Sequence, residues 1–202
     1  PVAETMRPPV ERRDWQRRLP VPYQSQKTRV PELRGQNCSP TSLSMVMAYR
    51  GAKRSHDEVA RRIYDPSNRI YGNWPRAIQT AWTYGVPGYL ARFSDWGDVE
   101  RLIADGQPLI ISIVAEKGEL NGAPYSSTPG HIIVLTGFDG RDGGTVNDPD
   151  APDAKRGQLV YPRKDLEKVW MERKGGTAYV LLPVLEPKTA NARGVPGAGS
   201  RK

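Results

Sequence analysis

The apolar residues change their spacing near the middle of the chain. In the first half they recur at helical intervals. Leu43, Val46 and Met47 fall at i, i+3 and i+4, and Gly51 ends the run. Ser55-His-Asp-Glu58 is a capping box, opening a helix through Val59, Ile63 and Tyr64 that stops before Pro66. Asn73 caps a third helix from about Trp74 to Tyr84, with Pro75 in its first turn and Gly85 after its end. Tyr89–Phe93 is a short strand candidate. Ser94 or Asp95 then caps a helix to Ala104, closed by Gly106.

After Pro108 the pattern becomes that of strands. Leu109–Val114 and His131–Phe138 are β-branched runs, and Asp139–Gly144 is a turn cluster before Thr145-Val-Asn147. Gln158–Tyr161 and Thr177–Leu182 add two strands, with a short helix at Arg163–Met171 between them. Helices first and strands later predict an α+β fold, with an antiparallel sheet packed against the helix that starts at Cys38. Residues 1–18 read as an extended arm, and Leu19–Tyr23 as a short edge strand confined there by its prolines. The domain is expected over 19–185. Residues 186–202 carry Pro, Gly, Ala and basic residues without a core pattern and are expected to be disordered.

The 202 residues suffice for one good-sized domain, and no apolar run approaches the length of a membrane span. The net charge of +8 sits mostly in the tails: residues 1–20 hold five Arg against three acids, and 186–202 four basic residues against one acid. Residues 21–185 hold 21 basic and 18 acidic residues, and no nucleic-acid motif accompanies them. Nucleic acid is therefore not an expected partner. The basic tails are suited to anionic cell-surface polymers. One Cys excludes an intramolecular disulfide, and one Cys with two His is too few for a structural zinc site. The chain begins at Pro1, which is read as a trimmed mature form whose targeting segment is missing; a secreted or cell-envelope location and a monomer are expected.

Cys38 is the single candidate nucleophile. With Pro40 suited to a first turn, it belongs at a helix N-terminus, where unpaired N–H groups and the helix dipole favour a thiolate. A lone Cys is otherwise a small buried apolar residue, so its partners decide. A Cys nucleophile needs a base and a group that orients the base. His56 lies in the first turn of a helix facing water, without a partner nearby in sequence. His131 follows Gly130 and opens a strand in the sheet half. The hairpin turn at 139–144 returns the chain beside His131 and delivers Asn147-Asp148-Pro149. Neighbouring strand residues face opposite ways, so one of Asn147 and Asp148 meets the imidazole.

Four motifs stand in order: Val21-Pro-Tyr-Gln-Ser-Gln26, Cys38-Ser-Pro-Thr-Ser-Leu, Gly130-His131-Ile-Ile-Val-Leu-Thr-Gly-Phe-Asp139 and Val146-Asn-Asp-Pro149. In this order they resemble the papain-like cysteine peptidases, and more narrowly the stand-alone relatives of the bacteriocin-processing peptidases, cysteine peptidase family 39. The resemblance implies a papain-like fold and peptide-bond hydrolysis through an acyl-enzyme, without a cofactor. Cys38 is then the nucleophile, His131 the general base and acid, and Asp148 the orienter. Gln26 and the Cys38 backbone N–H would hold the oxyanion. The family usually has Gly where this chain has Ser39, which is expected to narrow the approach to the thiol. The long loop from Gln26 to Cys38 leaves Gln36 as an alternative donor. Acyl transfer, amidase activity and non-catalytic peptide binding at the envelope are the alternatives on the same fold. Asn37-Cys38-Ser39 fits a glycosylation triplet, but a glycan there would bury the thiol, so it is read as chance. The segment Glu116–Pro129 is expected to wall the substrate cleft and to present Tyr125 to it, because it is far longer than a usual hairpin loop.

Overall fold

The computed structural model describes residues 15–184. The tail expected at 186–202 and most of the arm expected at 1–18 lie outside the described residues. Thirteen elements position the site. In chain order they are β1 (Gln16–Arg18), α1 (Cys38–Tyr49), α2 (His56–Ile63), α3 (Trp74–Thr83), β2 (Gly88–Arg92), α4 (Trp96–Ala104), β3 (Leu109–Ala115), β4 (Thr128–Asp139), β5 (Gly143–Asn147), α5 (Ala154–Gly157), β6 (Gln158–Pro162), α6 (Arg163–Leu166) and β7 (Thr177–Leu181). The strands form one antiparallel sheet in the order β2-β7-β3-β4-β5-β6, with β1 paired to the end of β4. Mixed helix and antiparallel sheet is the architecture that the change of period predicts.

The caps form as their chemistry requires. Ser55, Asn73 and Asp95 each accept a hydrogen bond from the backbone N–H three residues on, which pins the starts of α2, α3 and α4. Helix α1 differs from a surface helix. Every residue from Ser39 to Met47 is buried, because α2, α3 and the sheet surround it. Its small hydroxyl side chains allow this: Thr41 Oγ1 donates to the Asn37 carbonyl, Ser44 Oγ to Pro40, and Ser42 Oγ to Ile132 on β4. Polar groups are thereby satisfied at close helix–sheet approach.

Two elements depart from expectation. The edge strand lies at Gln16–Arg18, not at Leu19–Tyr23. Pro20 and Pro22 have no N–H to donate, so regular pairing ends with the bond from Leu19 N–H to Thr136. Leu19 and Val21 are nevertheless buried as core residues. The helix expected at Arg163–Met171 is one α-turn followed by a π-helical segment, Glu167–Glu172, which buries Val169, Trp170 and Met171.

Candidate active site

Cys38 is the first residue of α1, so the helix N-terminus lies beneath its thiol. His131 enters from β4. The β3–β4 register slips by one residue between the pairs Ile113–His131 and Ala115–Thr128, a bulge immediately before His131. A bulge re-aims the following side chain, and here it accompanies an imidazole that points at the end of α1. β5 runs antiparallel to β4 from the turn, as the 139–144 cluster predicts, and Asp148 follows its last residue.

The imidazole Nε2 of His131 lies 2.8 Å from Asp148 Oδ1. The other ring nitrogen is not used by Asp148, and His131 is close enough to Cys38 to act on its thiol. Burial by itself would raise the Cys38 pKa. The hydrogen bond and positive charge of His131, helped by the backbone N–H groups of Ile132 and Ser39, outweigh burial and hold the thiol below its ordinary value. Burial would lower the His131 pKa, but the Asp148 carboxylate opposes it, with Cys38 adding to the effect. The net result pushes His131 up to about 10. Both shifts act in favour of the charged forms, thiolate and imidazolium.

Asp148 is fully buried, and burial would raise its pKa; the charge of His131 and its hydrogen bonds hold it below the usual carboxylate range instead. It accepts four hydrogen bonds: His131 and the Asp150 N–H on Oδ1, and the hydroxyls of Tyr125 (2.9 Å) and Tyr161 (2.8 Å) on Oδ2. Burial and the Asp148 charge push both phenols far above their ordinary pKa, so both remain donors. The Tyr125 ring also stands edge-on to the imidazole, with centroids 5.2 Å apart and an angle of 79°.

Asn147 is turned away from His131. Its amide donates to the Val21 carbonyl at 3.0 Å and accepts from Gln158 Nε2 at 3.3 Å, tying the chain before α1 to the sheet. Gln26 is held by β5's far side: its N–H donates to the Pro149 carbonyl and its Nε2 to Asp150 Oδ1 at 2.6 Å. Gln36, not Gln26, lines the cleft that contains Cys38 and His131. His56 lies outside that cleft and contacts Asp57 at 3.2 Å.

The cleft has a volume of about 390 Å³. Cys38, His131 and Ser112 are among its lining residues, Ile70, Tyr71 and Trp74 give it an apolar part, and Lys174 lines it beside Trp74. No motif in the sequence marked the wall residues, which belong to the linker before α3 and to α3's first turn. Two expectations are corrected. No residue of 116–129 lines the cleft. The segment is instead strapped down elsewhere: Glu119 pairs with Lys168 and Arg173, the N–H and amide of Asn121 donate to Asp165, and Tyr125 reaches Asp148. Ser39 does not crowd the thiol; it is fully buried, with its hydroxyl beside that of Tyr179 in the core. Among the described residues, no three His, Cys, Asp or Glu side chains group as metal ligands do, and no helix is long and apolar enough to cross a membrane.

Comparison with known proteins gives the chain a family and a shared fold. The family model described as the peptidase C39-like family matches residues 18–178. A crystal structure of a C39-like peptidase from Bacillus anthracis is 19% identical, with a TM-score of 0.61, over 84% of this chain and 98% of that one. The peptidase domain of Streptococcus ComA, a bifunctional ABC transporter of a quorum-sensing pathway, is 14% identical with a TM-score of 0.55, over 81% and 98%. A double-glycine-motif protease from an AMS/PCAT transporter, solved with its leader peptide, is 21% identical with a TM-score of 0.54, over 82% and 94%. At these identities the structures establish a shared fold. No curated protein matches the chain.

Proposed function

The chain belongs to the peptidase C39-like family, and from that premise we propose that it hydrolyses peptide bonds through Cys38, His131 and Asp148. The observation that carries this reading is the 2.8 Å contact between His131 Nε2 and Asp148 Oδ1, with Cys38 and His131 lining one open cleft and the imidazole acting on the thiol.

The chemistry runs in two steps. The Cys38 thiolate attacks the peptide carbonyl carbon, and the carbonyl oxygen becomes an oxyanion. The Cys38 backbone N–H at the α1 N-terminus and a glutamine amide hold that charge, with Gln26, whose amide also donates to Asp150, as the motif's candidate and Gln36, which lines the cleft, as the alternative; each donor is typically worth about 3 kcal/mol. The His131 imidazolium then gives its proton to the leaving amine as the C–N bond breaks, which leaves a thioester on Cys38. Neutral His131 next takes a proton from water. The hydroxide formed attacks the thioester, and the thiolate leaves with the imidazolium restored. Asp148 stays ionised throughout and keeps the imidazole ring in register.

The test is mass spectrometry of a fluorogenic peptide library incubated with the wild type and with Cys38→Ala. Hydrolysis products that require Cys38, and an acyl adduct on Cys38 trapped by acid quench, are the expected result. If an added amine replaced water in nearly all product, the reaction would be acyl transfer. Cleavage surviving in Cys38→Ala would overturn the mechanism.

A further inference from the structure

We propose that the cleft selects peptides bearing an Asp or Glu side chain that meets the Lys174 ammonium. This substrate class rests on the peptidase reading above.

The cleft wall is apolar at Ile70, Tyr71 and Trp74, and no Asp or Glu lines it. Lys174 is the one Lys or Arg among its lining residues. That charge has no carboxylate partner among the described residues, unlike its neighbours. Lys168 pairs with Glu119, and Arg173 with Glu116 and Glu119. The Lys174 ammonium instead lies over the Trp74 ring, 5.4 Å from its centroid, beside the apolar lining residues. Beside an aromatic face and inside a cleft, an ion pair is less screened than on an open surface.

The backbone holds this lysine in place. Gly175 and Gly176 adopt left-handed conformations, φ 57° and 61°. A side chain at Gly176 would collide with the Phe93 carbonyl, 1.8 Å from where its Cβ would stand. Thr177 Oγ1 donates to the Lys174 carbonyl at 2.8 Å, and Phe93 N–H to the Gly176 carbonyl at 3.1 Å. The lysine is therefore presented from a fixed turn. The Arg92 guanidinium approaches the same turn, 3.9 Å from a Cβ placed on Gly175, and adds potential of the same sign. A substrate carboxylate entering beside Trp74 meets the Lys174 ammonium and no lining carboxylate.

The test uses binding, so that it does not depend on turnover. Blocked octapeptides of Gly, Ala and Leu, carrying Glu or Gln at one position at a time, are titrated into the Cys38→Ala protein by calorimetry. At one position Glu should bind about three- to tenfold tighter than Gln, with the ratio shrinking as salt is raised. Lys174→Met keeps an apolar stem against Trp74 and should bring the ratio to about one. Lys174→Glu should favour a Lys-containing peptide at the same position. A ratio near one at every position, or a Glu preference unchanged in Lys174→Met, would overturn the proposal. Acidic preference in binding with no hydrolysis by the wild type would sink the peptidase reading and leave this one standing. Hydrolysis without acidic preference would do the reverse.

Discussion

The Tyr125 hydroxyl donates to Oδ2 of Asp148 at 2.9 Å, on the carboxylate oxygen that His131 does not use. Tyr161 donates to the same oxygen from β6, so two neutral phenols fix the rotation of the buried carboxylate. The long segment between β3 and β4 thus supports the His131–Asp148 pair through Tyr125 and leaves the cleft wall to other residues.

This arrangement predicts a graded loss of turnover. Tyr125→Phe keeps the ring against His131 and removes one donor; Tyr161→Phe removes the other. A hydrogen bond to a charged group contributes about 1.5 kcal/mol, so each change should lower kcat about tenfold with KM little changed, and the pair should lower it further. Steady-state kinetics with a single peptide substrate measures this. Reduced melting temperature with unchanged kcat would assign both tyrosines to folding alone.

The shifted pKa values predict opposite pH limbs for two reactions of Cys38. Iodoacetamide alkylation should already be fast at neutral pH, because the thiol is held below its ordinary value. Peptide hydrolysis also needs the His131 proton, so kcat/KM should fall as pH passes about 10 while alkylation does not. An alkylation profile with a single midpoint near a free thiol's value, about 8.5, would contradict the thiolate–imidazolium pair.

The same shift has a stability consequence with a definite sign. The folded pKa of His131 is raised to about 10, above its unfolded value. Its contribution to stability is full below about pH 6.5 and disappears as pH rises through about 10. Thermal melts of wild type and His131→Gln across this window should show the steeper decline in the wild type. Parallel curves would mean that His131 is not protonated in the fold.

Asn147 and Asp148 should separate into a structural and a catalytic phenotype. Asp148→Ala leaves His131 without its orienting carboxylate and should lower kcat about a thousandfold or more. Asn147→Ala removes a buried hydrogen bond to Val21 and a partly buried one from Gln158, and should cost about 1–3 kcal/mol of stability, with near-normal turnover in the folded protein. Urea denaturation and kcat measured on both variants decide it; the reverse ranking would exchange the roles.

The oxyanion donor is testable by the same logic. Gln26→Ala should lower kcat about a hundredfold at nearly constant KM, while Gln36→Ala should have a smaller effect spread over kcat and KM. Gln36 lines the cleft and Gln26 donates to Asp150, so a larger kcat effect at Gln36 would transfer the oxyanion role to it.

The sequence by itself determined the elements and their order. Hydrophobic period, capping side chains and Gly or Pro stops act within a few residues, so α2, α3, α4 and the core strands were legible nearly to their ends. The placement of Cys38 before a helix, and the turn that folds β5 back on β4, were legible for the same reason. Proline chemistry was visible too, but which side of Pro20 would pair depended on the free edge at the end of β4. The alternation rule left Asn147 and Asp148 both open. Tertiary structure decided between them geometrically, because Asn147 is drawn to the Val21 carbonyl on a segment 126 residues away in sequence. The tyrosine pair on Asp148 and the cleft walls built from 70–74 and Lys174 carry no local signature, since each joins segments that only the closed sheet brings together. A side chain's direction at such a junction depends on register, bulges and what else competes for its hydrogen bonds, and those are properties of the assembled fold.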